Sequence, residues 1–240
     1  MIADLWTVVW KEWREFLAQR STLLSMAIYL AMFAVLLPSQ SGAAWVESPL
    51  RVMNLIVLPL FLVLTTVADG FAGERERHTL DTLLASRLSD RAILLGKIAA
   101  SVAYGWGLTL AALVVALIVA NVAAGDGLRL YPAWLGVAAV VFSLLSIVLV
   151  ATAGMLVSLR ASTVRQAQQI LNIGLLLIGL VVIGAVSIPP ERGRERIGDA
   201  HASASAAQLL LAGVLLFLMI DAAVLGVALA RFRRPRLAVD

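Results

Sequence analysis

Six long apolar runs dominate the 240-residue chain: 21–37, 50–72, 92–123, 132–159, 167–188 and 206–230. A helix needs about 20 mostly apolar residues to cross a bilayer, because every backbone polar group must be satisfied within the segment. None of the runs alternates apolar and polar residues with the period of a barrel strand. The first is short and can borrow length from the segment before it, and the third is long enough to tilt or project. The fold class expected is therefore an all-α membrane protein of six transmembrane helices. With 61% hydrophobic and 14% charged residues, little is left for an aqueous domain of ordinary size.

Ahead of the first run, residues 4–20 read as an amphipathic helix. Trp6, Val9, Trp10, Trp13, Phe16 and Leu17 follow helical spacing, with Lys11, Arg14 and Glu15 on the other side. Tryptophans on an apolar face suit the headgroup boundary, although the segment also reads as a plain polar start to the first span. The chain divides into this interfacial helix, 1–20, and a transmembrane domain, 21–240, with a loop at 73–97 and a basic tail at 231–240.

Six spans put both ends of the chain on the side of the 73–97 and 160–166 loops. That side carries fourteen of the nineteen Lys and Arg residues. The positive-inside rule makes it cytoplasmic, with Trp45, Tyr131 and Trp134 at the outer interface. The same distribution explains the net charge of +4 without a nucleic-acid partner. The largest outer loop follows Pro189-Pro190, which ends the fifth run. Met1 to Arg20 lacks the compact apolar stretch of a cleavable signal.

Several chemistries have no residues here. There are no cysteines, and His78 and His201 lie far apart. No phosphate-binding Gly-x-x-x-x-Gly-Lys-Ser/Thr loop occurs, so ATP hydrolysis by the usual device is excluded. Asp221 lies in the sixth run, ten residues before Arg231, or ~15 Å from the boundary at 1.5 Å per residue. A carboxylate at that depth is a functional candidate by default. Asn172 and Ser146 fall at similar depths and could hydrogen-bond to it. The three form either a translocation-path site or polar glue between helices.

The 73–97 loop mixes charges of both signs with a short leucine stripe. Glu74, Arg75, Glu76 and Arg77 end the second span at the membrane surface. Thr79 and Asp81 sit where a helix start takes a cap and an early acid. Leu80, Leu83 and Leu84 are spaced i, i+3, i+4. A two-turn helix with an apolar stripe is too short to stand alone in water. It must dock on its own protein, on a soluble partner, or on the lipid surface.

This loop resembles the one between the second and third spans of ABC-2-type transporter permeases. That family reads Glu-Arg-x-x-Gly-Thr-Leu-Glu-x-Leu-Leu, a break with Pro, then Leu-Gly-Lys. Here the residues are Glu74-Arg75-Glu76-Arg77-His78-Thr79-Leu80-Asp81-Thr82-Leu83-Leu84 and Leu95-Gly96-Lys97. His78 stands where Gly is usual and Arg87 where Pro is usual. The amphipathic first helix with Lys11-Glu12 and the six-span layout match as well.

The resemblance implies an inner-membrane permease subunit of an ABC exporter, with its termini in the cytoplasm. It would pair with a second permease copy or paralogue and bind separate ABC ATPase subunits that carry ATP and Mg; this chain would hold no cofactor. The implied coupling contacts are Glu74, Arg75, Glu76, Arg77, Thr79, Leu80, Leu83 and Leu84. Two other classes fit the bare sequence: a membrane anchor that recruits a cytoplasmic partner, and an ion-coupled secondary transporter that uses Asp221.

Overall fold

The computed structural model describes residues 2–125, 127–187 and 206–232, and among these helices are the only regular secondary structure, with no strand. Helix α1 (Ile2–Ala18) is the amphipathic segment. The first span follows as α2 (Arg20–Tyr29), a π-helical stretch Leu30–Leu36, and α3 (Leu37–Ser41). Together they make one 22-residue candidate span, Arg20–Ser41, longer than the sequence boundaries suggested. The wide π turns end just before Pro38, whose ring would clash with the carbonyl four residues back in a regular helix.

After the short α4 (Ala43–Glu47), α5 (Pro49–Glu76) carries the second span and continues four residues beyond its expected end. Pro49 opens the helix, where its missing N–H costs nothing. Then come α6 (Leu80–Ala85), α7 (Asp90–Ala124), α8 (Ala133–Ser158), α9 (Val164–Ser187) and α10 (Ala206–Arg231). Ser89 caps α7 by accepting the Ala92 amide, and Gly125, at φ 69, ends it in the left-handed region. At 35 residues, α7 is ~50 Å long and outreaches a hydrocarbon core of ~30 Å.

Among the described residues, five helices are long and apolar enough to cross a membrane: the first span, α5, α7, α8 and most of α10. The fifth expected run, 167–188, falls on α9, which opens with Arg165, Gln166, Gln168 and Gln169 and is apolar for most of its remaining length. Ile188, the outer loop to residue 205 and the basic residues Arg233, Arg234 and Arg236 lie outside the described residues.

Helix α5 is the hub of the bundle, packing against α7, α8 and α9. Small residues let these helices close up: Ala68, Ala72, Ala100 and Ala151 are all fully buried. Ser158, at the end of α8, donates to the Ala68 carbonyl at 2.9 Å and accepts the amides of Phe71 and Ala72 at 3.0 Å. It thereby joins the backbone of α5. Tyr29 ties the first span to α5 through the Leu55 carbonyl, 3.0 Å away. Trp45 is only 2% exposed and fills a core cluster with Val46, Val52, Leu55 and Leu135. Trp134, near the start of α8, is half-exposed.

Candidate functional site

Of the four charged residues at the end of α5, three secure other elements and the fourth, Arg77, bonds back to α5 itself. Glu74 is 2% exposed and accepts Lys11 Nζ from α1 at 2.7 Å and Lys97 Nζ from α7 at 2.9 Å. Arg75 donates to the carbonyls of Leu159, at 3.1 Å, and Ala161, holding the connection between α8 and α9. Glu76 accepts the Val164 amide at 2.9 Å, placing a carboxylate at the N-terminus of α9, where the helix dipole favours it. Arg77 reaches back over two turns to Asp69, with contacts of 3.0, 3.2 and 3.3 Å. Gly73 permits this, since a side chain there would occupy the space of that bridge.

Lys97 is the centre of the network. It is 2% exposed, bonds Glu12 Oε1 at 2.6 Å as well as Glu74, and lies 5.4 Å from the centroid of Phe71. Phe71 in turn meets Phe232, beyond the end of α10, at 5.3 Å. An ammonium buried this deeply is tolerable only with paired carboxylates. Gly96 completes the device: a Cβ at this position would lie 2.7 Å from Val8, so glycine lets α1 lie directly on α7. In Leu95-Gly96-Lys97, the glycine seats α1 and the lysine locks it. Burial works against the charge on Lys11, but its hydrogen bond to Glu74 and the carboxylates of Glu12 and Glu15 outweigh it. Its ammonium is therefore held above the ordinary 10.5, and the stability it adds is lost only as pH climbs past that value.

The turn from α5 into α6 closes the α5 end with paired backbone bonds, Thr79 N to Glu74 O at 2.9 Å and His78 N to Arg75 O at 3.1 Å. That geometry needs a left-handed residue, and His78 supplies it at φ 55. The position where the family favours Gly is the one where Gly is conformationally free.

Two sequence expectations change here. Leu80 is 7% exposed and packs in the same core cluster as Phe71, Ile93 and Leu94, so it anchors α6 to its own protein and offers nothing to a partner. Glu74 is sealed in the ion network and is not at a rim. Thr79 donates its hydroxyl back to the Glu74 carbonyl at 3.3 Å. The side chains of Asp81, Leu83 and Leu84 lie outside the described residues. His78, Thr82, Ala85 and Arg87 are exposed around α6.

The second expected cluster does not assemble. Asp221 is buried at 7% exposure where α10 packs on α8, near the edge-on pair Phe142–Phe217 at 5.8 Å. Neither of its carboxylate oxygens has a hydrogen-bond partner among the described residues. Ser146 is half-buried on α8, and Asn172 is exposed on α9. Among the described residues, no hydrogen bond joins Asp221 to Ser146 or Asn172. The sequence reading missed the pairing of Lys97 with Glu12, although a lysine inside an apolar run is itself a signal that a carboxylate must come to it.

A family model described as ABC-2 type transporter matches residues 3–192, which takes in nearly all of α1, the ion network, α6 and the whole of α9. A comparison with curated proteins returns no match.

Proposed function

Since the chain belongs to the ABC-2 type transporter family, and is thus a membrane permease component of an ABC transporter, we propose that it forms half of an exporter's translocation unit. In this reading it pairs with a second permease and is driven by separate ATPase subunits that bind ATP and Mg. Its basic end faces the cytoplasm at the inner membrane. The surface that meets the ATPase is α6 with its flanking turns.

The observation that carries this reading is the convergence at the end of α5. Glu74 to Arg77 connect the α6 loop to α1, α7 and the start of α9. A force applied at α6 is therefore shared at once among several spans and the interfacial helix. A solvated loop would not need such bracing. Leu80 fixes α6 from within. Partner contact falls to Leu83, Leu84 and the exposed Thr82 and Arg87.

The division between anchor and contact is testable by co-expressing the permease with its ATPase. Leu83→Ser with Leu84→Ser should abolish co-purification while leaving the permease's melting temperature unchanged. Leu80→Ser should lower that temperature instead, as core truncations do. Full co-purification of the Leu83/Leu84 double variant would overturn the docking assignment. A membrane anchor that merely recruits a partner would show the same docking but no ATP-dependent flux in vesicles.

A further inference from the structure

At the basic end, a cleft of about 280 Å³ opens between the first span, α5 and α9, with the end of α1 and one ring of α7 above it. Its floor is a single face of α5: Leu62, Thr65, Thr66 and Asp69, at i, i+3, i+4 and i+7. Thr65 lies eleven residues before the end of α5, ~16 Å from that end at 1.5 Å per residue and within the second apolar run. Polar side chains at such depth line a pathway or a cavity.

The hydrogen-bond inventory of this cleft is one-sided. Thr65 Oγ1 donates to the Leu62 carbonyl at 2.7 Å and Thr66 Oγ1 to the Val63 carbonyl at 2.8 Å. Across the cleft, Ser25 Oγ donates to the Ser21 carbonyl at 2.9 Å and Thr22 Oγ1 to Gln19 Oε1 at 3.1 Å. A carbonyl oxygen only accepts, so each hydroxyl has spent its one hydrogen and offers the cleft lone pairs alone. Asp69, 30% exposed, takes the Arg77 guanidinium on one side and has further acceptor capacity on the other. The donors that remain are the amides of Gln19 and Gln168, the Ser21 hydroxyl and the Tyr104 phenol. Phe16 and Tyr104, their rings tilted and 5.5 Å apart, wall the other side.

A ligand seated between the α5 face and the Thr22 and Ser25 hydroxyls must bring hydrogens and few lone pairs to those walls. Carboxylates and phosphates bring the reverse, and sugars bring as many acceptors as donors. An alkylammonium brings N–H donors only, and its charge suits both the carboxylate and the aromatic faces. Leu24 and Ile28, exposed on α2 beside Thr22 and Ser25, offer an apolar surface for a hydrocarbon tail.

We propose that this cleft is the headgroup site for an amphiphile bearing a primary or secondary ammonium, and that such molecules are the cargo class of this permease. Naming the ligand as cargo rests on the permease reading above; the binding site itself does not.

The test uses the purified chain in nanodiscs without ATPase or ATP, reading ligand-induced shifts in melting temperature. The probes are dodecylamine, dodecyltrimethylammonium and dodecanoate, matched in chain length. Dodecylamine should raise the melting temperature, while the trimethylammonium, which has no N–H, and the carboxylate should not. Thr65→Val with Thr66→Val keeps side-chain shape and should shift the dodecylamine response to about tenfold higher concentration, the loss expected for a charge-assisted hydrogen bond. Ser25→Ala, on the half-buried opposite wall, provides a second variant should the valine pair disturb α5. Leu211→Ala, on the lipid face, should leave the response as in the unaltered chain. Equal shifts with all three probes, no shift with dodecylamine, or an undiminished response in the cleft variants would overturn the proposal. Because no ATPase is present, such a failure leaves the permease reading standing, and full co-purification of the Leu83/Leu84 variant leaves this binding site standing.

Discussion

His78 holds a backbone conformation that L-residues avoid at a cost of roughly 1–2 kcal/mol, and the turn between α5 and α6 requires it. His78→Gly should therefore raise stability by about 1 kcal/mol, after allowing for glycine's greater freedom in the unfolded chain. Thermal unfolding in nanodiscs should show a higher midpoint for His78→Gly and no gain for His78→Ala; a lower midpoint for the glycine variant would mean that the imidazole itself is needed. The sequence marks this position only as a departure from a familiar pattern, since φ is not written in residue types. The same limit applies to the neighbouring charges. Glu74 to Arg77 stand out as a charged cluster, but their partners lie 63 to 88 residues away for Lys11, Ala161 and Val164. Spacing rules cover one turn of helix, not contacts between spans. Leu80 illustrates the related ambiguity of a leucine stripe, because an apolar side chain near the surface fits its own core and a partner's groove equally well.

The ion network makes α1, α5 and α7 a single mechanical unit, and Lys97 is its least replaceable member. Lys97→Met removes the shared cation and leaves Glu12, 6% exposed at the side chain, without the partner that bonds it at 2.6 Å. Breaking a buried pair from one side costs about 3–5 kcal/mol. Lys11 is 44% exposed, so Lys11→Met should cost far less, within the small range of solvent-screened pairs. Limited proteolysis at the junction between Ala18 and Arg20 is the matching readout: rapid cutting in Lys97→Met and near-normal protection in Lys11→Met. Equal protection in both variants would mean that Gly96 and the apolar face seat α1 without help from charge. At this scale the sequence was a good guide to where helices lie and a poor one to where they end. Apolar runs located the first span, α5, α7, α8 and α10. The extension of the first span through Pro38 to Ser41 was hidden, because a proline reads as a stop and the π turns that accommodate it leave no compositional trace.

Viewed whole, the molecule is polarised from end to end. One end gathers the ion network, α6 and the acceptor-lined cleft. The other is closed by Trp45 and by Asn121, whose side chain grips both the amide and the carbonyl of Arg129 at 2.6 and 2.9 Å. The assignment of α6 as the ATPase-docking element depends on the first end facing the cytoplasm, since an ATPase and its ATP are found only there. The charge asymmetry of fourteen to five supports that orientation, and the absence of cysteine makes the chain a ready background for testing it. Gln40→Cys lies at the exposed outer end of the first span and Ser162→Cys in the exposed turn between α8 and α9. In intact cells a membrane-impermeant maleimide should modify the cysteine at 40 and spare the one at 162, which should react only after permeabilisation. The opposite pattern would place α6 outside the cell. No ATPase could then reach it, and the ion network would have to be read as a purely structural clamp.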